Sequence, residues 1–129
     1  MIALALMLMA VEEPPFPDWN CEEPQWQQEM NWCAAQDYRA ADEALNSQWT
    51  LTSSVMKQRD AEWAQDDGRP GHFATLLEAQ RAWLAYRDAH CRAEAYGFRG
   101  GSMEPLIDAS CKSNLTRERT EQLRSLIEL

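Results

Sequence analysis

The residues of this chain best suited to chemistry sit in "AQRAWLAYRDAHC", residues 79–91. At a helical period of 3.6, Gln80, Leu84, Arg87 and Cys91 fall on one narrow line. Leu84 and Cys91 belong in a core, whereas Gln80 and Arg87 ordinarily face water. An arginine on such a face either holds an anionic ligand or is tied into a buried polar network. A buried, unpaired guanidinium costs too much to persist. No nucleophile and base accompany Arg87, so the structural reading is the stronger. Asp42 is the expected partner of Arg87, at the core edge of the preceding helix with Asn46 beside it and Asn31 further back. Gln80 is expected to bond an asparagine or a backbone group across the helix interface.

The two histidines add little chemistry. His90 adjoins Cys91 on the helix flank, and His72 borders an Asp-rich turn. Neither has a visible orienting carboxylate or nucleophile. "FRGGS" follows a helix and lacks the strand–loop–helix setting of a phosphate loop. No catalytic residue is assigned, and an enzyme is not expected.

Cys21, Cys33, Cys91 and Cys111 are four in number, which in a small exported chain reads as a disulfide framework. Of the three pairings, Cys21–Cys33 with Cys91–Cys111 is favoured, because each closes a local loop between neighbouring elements. Zinc is not expected, since there is no CxxC and neither histidine has ligand spacing to a second one. No other cofactor is implied.

The export reading comes from the N-terminus, "MIALALMLMAVEEPPFPDWN". Its apolar run over residues 2–11 is too short to span a bilayer and suits a signal-peptide core. No Lys or Arg precedes Arg39, so a basic leader region would lie upstream of the given start. Residues 1–18 are therefore read as a signal-peptide-like segment and linker, and residues 19–129 as one domain.

The remainder is helical. Between Pro24 and about Gln65 there is no proline or glycine. Met30, Ala34, Tyr38, Ala41, Leu45, Trp49, Thr52, Met56 and Trp63 recur there at helical steps. "TLTSSV", residues 50–55, is the weakest part of that helix. "QDDGRPGH", residues 65–72, is the clearest turn. A second helix is expected over Phe73–Tyr96, stopped by Gly97. A third starts with Ser102 as N-cap and Pro105 in its first turn. Its apolar line jumps near residues 113–116, where a kink or a fourth helix is expected. The fold class is all-α, a small antiparallel up-and-down bundle of three helices, or four if the last one breaks, with two disulfides.

Charge narrows the partners. Twelve Lys and Arg face 21 Asp and Glu, for a net charge of −9. That disfavours nucleic acid and anionic membranes, whose binding is driven by basic residues. A basic protein fits the sign. Asp66, Asp67, Arg69 and His72, exposed and polar at a bundle end, are the candidate partner-binding loop. Trp19, Trp26 and Trp32 crowd the N-terminal segment, where at least one is expected to be exposed.

Taken together, "QQEMNWCA" (27–34), "ADEALN" (41–46), "AQRAWLAYRDAHC" (79–91), "GGS" (100–102), Cys111 and "TRERTEQL" (116–123) resemble the LprI-like family of lysozyme-inhibitor domains. The resemblance covers residues 21–126. Trp26 stands where the family often has a small hydroxyl residue, and Trp49 replaces a tyrosine. The resemblance implies an exported, disulfide-bonded bacterial helical protein of the periplasm or exterior, without cofactor. One family member is a lipoprotein that inhibits lysozyme. Cys21 has no lipobox before it, so a lipid anchor is not expected here, nor stable membrane insertion. The implied function is a non-enzymatic inhibitor of a basic lysozyme. The alternative is a structural or envelope-stress interaction protein. Oligomeric state is not legible in the sequence.

Overall fold

A computed structural model describes residues 19–128. The signal-peptide-like segment lies outside the described residues. Three helices follow one another: α1 (Gln27–Glu62), α2 (His72–Ala95) and α3 (Glu104–Ser125). A single 3-10 turn, Tyr96–Phe98, follows α2. No strand occurs among the described residues. α1 has 36 residues and is about 54 Å long at 1.5 Å per residue.

The chain entering α1 is hooked back on it, where the sequence suggested only a linker. Glu29, in the third helical position, accepts the backbone N–H of Gln25 at 2.7 Å and of Asn20 at 3.2 Å. This replaces the side-chain cap that Trp26 does not supply. The Cys21–Cys33 disulfide joins the same segment to the second turn of α1. Trp19 packs edge-to-face on Trp32 with centroids 5.5 Å apart, leaving Trp26 exposed.

α1 is unbroken through residues 50–55, because the hydroxyls there are absorbed by helix carbonyls. Thr50 donates to the carbonyl of Asn46, and Thr52 donates across the bundle to the carbonyl of Leu123 at 2.9 Å. The expected break in α3 is likewise absent. Its buried stripe does not jump but passes through Ser113, Thr116 and Thr120. Thr120 donates to the carbonyl of Thr116 at 3.0 Å, so a polar residue can occupy the inward face without leaving the helix.

Three further expectations are corrected at the helix ends and faces. Ser102 does not cap α3; Met103 holds the cap position without a side-chain bond, and Glu104 accepts the N–H of Gly100 at 2.6 Å. Gly97 lies inside the 3-10 turn, and the left-handed residue is Gly100, with φ +79°. Leu84 and Trp63 are not core residues, being 37% and 62% exposed.

The apolar core lies towards one end. Leu45, Met56, Leu76 and Leu123 are its buried members, with Trp49, Phe73, Trp83 and Ile127 packed against them. The other end is held by Cys91–Cys111, which joins α2 to α3, and by buried Ala41 and Ala95. Loops of 12 and 20 residues closed by the two disulfides contribute about 3 kcal/mol each by the chain-entropy estimate. That contribution matters in a domain with so few buried apolar side chains.

Candidate functional site

α1 positions the ends of both other helices with two adjacent residues. Asp60 accepts the backbone N–H of His72 at 2.6 Å and of Phe73 at 3.0 Å. It also meets His72 Nδ1 at 3.2 Å. The Asp60 carboxylate thus caps the N-terminus of α2, whose own N-cap is Gly71. Those backbone bonds hold its carboxyl below the usual carboxylate range. Arg59 donates from Nη1 to the carbonyl of Leu126 at 3.3 Å, past the C-terminus of α3. Each charge has the sign its helix end favours.

These two caps frame an open groove of about 710 Å³ at the end of the bundle. Met56 and Leu76 rise from the core to line it, joined by the exposed Trp63 and Leu126. The turn after α1 forms one lip. There Asp67 accepts the N–H of Arg69 at 3.0 Å and its Nε at 2.7 Å, with Gly68 at φ +75°. The Arg69 side chain and backbone lower the pKa of Asp67.

Of the loop residues singled out from the sequence, Asp67, Arg69 and His72 line this groove; Asp66 is exposed but does not. His72 is occupied with Asp60 and Arg69 with Asp67. Arg119 also lines the groove and was not singled out. It donates from Nε to Gln80 Oε1 at 2.9 Å and from Nη1 to Gln122 Oε1 at 3.1 Å. Its Nη2 is buried with no hydrogen-bond partner among the described residues. Burial lowers the pKa of this guanidinium, though arginine stays charged. The available signal in the sequence was the helical line Thr116–Arg119–Leu123, which places an arginine beside the core face.

Gln80 therefore bonds Arg119 of α3, not an asparagine or a backbone group. Arg87 is 6% exposed. Its guanidinium lies 5.4 Å from the centroid of Tyr38 and 5.1 Å from that of Trp83. Its Nε donates to Asp88 Oδ1 at 3.0 Å, and its Nη1 to Thr116 Oγ1 at 3.4 Å. Asp42, the expected partner, forms a longer ion pair with Nη1 at 4.0 Å. Asn46 is exposed and contributes its backbone carbonyl to Thr50, so it does not join Arg87. Its side chain leaves the inner face because it follows Leu45 by one residue, a turn of about 100°. Asn31 acts at the far end, receiving Gln27 at 2.8 Å and donating to the carbonyl of Ser102 at 2.9 Å.

His90, Glu94 and Cys111 bring potential ligand atoms within 4.8 Å of one another. Cys111 is in a disulfide, so it offers no thiolate to a metal. His90 instead stacks on Tyr86 with centroids 5.3 Å apart. Among the described residues no helix is long and apolar enough to cross a membrane.

The family model described as "Lysozyme inhibitor LprI" matches residues 20–123. An uncharacterized protein of Rhizobium meliloti (strain 1021) is 39% identical over 128 residues, covering 98% of this chain and 92% of that protein. The crystal structure of a DUF1311 family protein from Pseudomonas putida is similar with a TM-score of 0.62 and 27% identity. The match covers 83% of this chain and 96% of that one. The match over nearly all described residues and the disulfide-tied three-helix fold agree: this chain belongs to the lysozyme inhibitor LprI family.

Proposed function

We propose that this protein is an exported binding protein of the bacterial envelope that inhibits a basic, c-type lysozyme. The observation that carries the reading is the groove at the bundle end, with exposed Trp63 and Leu126 beside a polar lip, in a chain of this family. Exposed apolar side chains rimmed by charge are what a protein interface requires. The net charge of −9 steers a cationic partner towards the molecule. Residues 1–18 direct export, and residues 19–129 form the working domain. The two disulfides fit an oxidising compartment. Arg87, with Asp42 nearby, serves the bundle and not recognition, since its guanidinium is enclosed between Tyr38 and Trp83. Asp60 is engaged in capping α2 and in holding the His72 ring, and the groove's role in this reading is to bind.

The test is titration of purified, oxidised protein into a c-type lysozyme. Cell-wall lysis and binding by calorimetry are followed at low and high salt. Inhibition in the micromolar range that weakens as salt rises is expected. Undiminished lysis at that concentration, with no salt-sensitive binding, sinks the inhibitor reading.

A further inference from the structure

We infer that the groove is a carboxylate-recognition site, with Arg119 as its anion-binding residue and a partner's carboxylate beside an apolar side chain as its occupant. This deepens the preceding reading by naming the chemistry the groove takes. Three basic side chains among the described residues line it. Arg69 is paired with Asp67, and His72 faces Asp60. Arg119 alone of the three has only neutral acceptors, the side-chain carbonyls of Gln80 and Gln122. Its Nη2 has none. An orphaned donor on a charged, partly desolvated group costs about 1–3 kcal/mol or more. A carboxylate bonded by two parallel N–H groups is the arrangement a guanidinium favours.

The two glutamines differ in what they allow. Gln80 is buried and holds Nε from behind. Gln122 is exposed, one turn along α3, and its bond to Nη1 is open to solvent. A carboxylate therefore enters by displacing the exposed Gln122 amide from Nη1, and reaches the buried Nη2 only once that amide has moved, while Gln80 keeps the guanidinium aligned. Trp63, Leu126 and Met56 of the same groove receive the apolar group beside it. A lysozyme meets the first requirement, because its glycan chemistry rests on a pair of carboxyl groups.

The test uses the full, oxidised, 15N-labelled chain and two probes that differ only in charge, N-acetyl-leucinate and N-acetyl-leucinamide. The Trp63 indole N–H and the Arg119 Nε–H are followed by NMR. The carboxylate is expected to shift both and to bind about tenfold or more tightly than the amide, the ratio a charge-assisted bond supports. Arg119→Gln is expected to abolish that preference. Gln122→Ala, at an exposed position, is expected to tighten carboxylate binding. It keeps the test decisive if Arg119→Gln does not fold. Equal binding of the two probes, no shift at saturating probe, a preference that survives Arg119→Gln, or probe-free shifts that follow self-association would each overturn the inference. Lysozyme is absent from these arms, so failure of the inhibitor reading does not alter their outcome.

Discussion

Asp60 and Gly71 are fitted to each other: a Cβ on Gly71 would stand 2.8 Å from Asp60 Oδ1. The close approach lets a carboxylate on α1 reach the first two amides of α2. Gly71 has φ −71°, within the range open to any residue. What glycine supplies here is space.

Substitution should therefore be non-additive at this pair. Gly71→Ala pushes Asp60 off the amides and lowers the melting temperature, and Asp60→Ala does the same by removing the cap. In the Asp60→Ala background, Gly71→Ala should cost little, because the clash has gone. Thermal unfolding of the two single variants and the double variant measures the coupling. Simple additivity would mean that the two residues act separately.

Acid should weaken the bundle through three carboxylates. Arg117, bonded to Asp37 at 2.9 Å, lowers the pKa of Asp37. Asp60 and Asp67 are lowered by backbone N–H groups and by Arg69, respectively. A depressed folded pKa means that the stabilisation is present above the ordinary value of 3.8 and lost as pH falls through the folded values. Urea midpoints should thus hold steady from neutral pH to about pH 5 and fall below it. Asp37→Asn combined with Asp60→Asn should flatten that fall. An unchanged acid limb in this double variant would assign the effect elsewhere.

The Arg87 side chain should matter more for its bulk than for its charge. Its nearby carboxylates, on Asp42 and Asp88, are themselves partly exposed, so removing the guanidinium strands no buried anion. Arg87→Ala leaves a void between Tyr38 and Trp83 and should cost about 2–4 kcal/mol, as a large-to-small core change does. Arg87→Met, of similar length, should cost less than about half of that. Equal losses in chemical denaturation would show instead that the charge dominates.

The disulfides should open in order. Cys91 is fully buried, whereas Cys21 is exposed, and thiolate attack requires access. Mild reduction followed by alkylation and mass mapping should label Cys21 and Cys33 first. Removing Cys91–Cys111 by paired alanine substitution should lower stability by about 3 kcal/mol, read from the urea midpoint.

The sequence by itself determined the class of the molecule. Helical spacing marked the three segments, the Asp–Gly–Pro turn separated the first two, and the loop lengths favoured the two cysteine pairs that the structure bonds. Such features are local, so residue type and spacing suffice to read them. Only the tertiary structure decided which residues meet across the bundle. Periodicity defines a helix's inward face but not its rotation against its neighbours. Gln80 therefore found Arg119, 39 residues away, and Leu84 turned towards solvent. The continuity of α3 was hidden for a related reason: its inward stripe runs through Thr116 and Thr120, whose burial makes sense only once a helix carbonyl and Arg87 are there to bond them. Of the groove, the sequence marked only one lip, through Asp67, Arg69 and His72. The groove itself is formed where three helix ends converge, and α1 holds the other two there through Arg59 and Asp60.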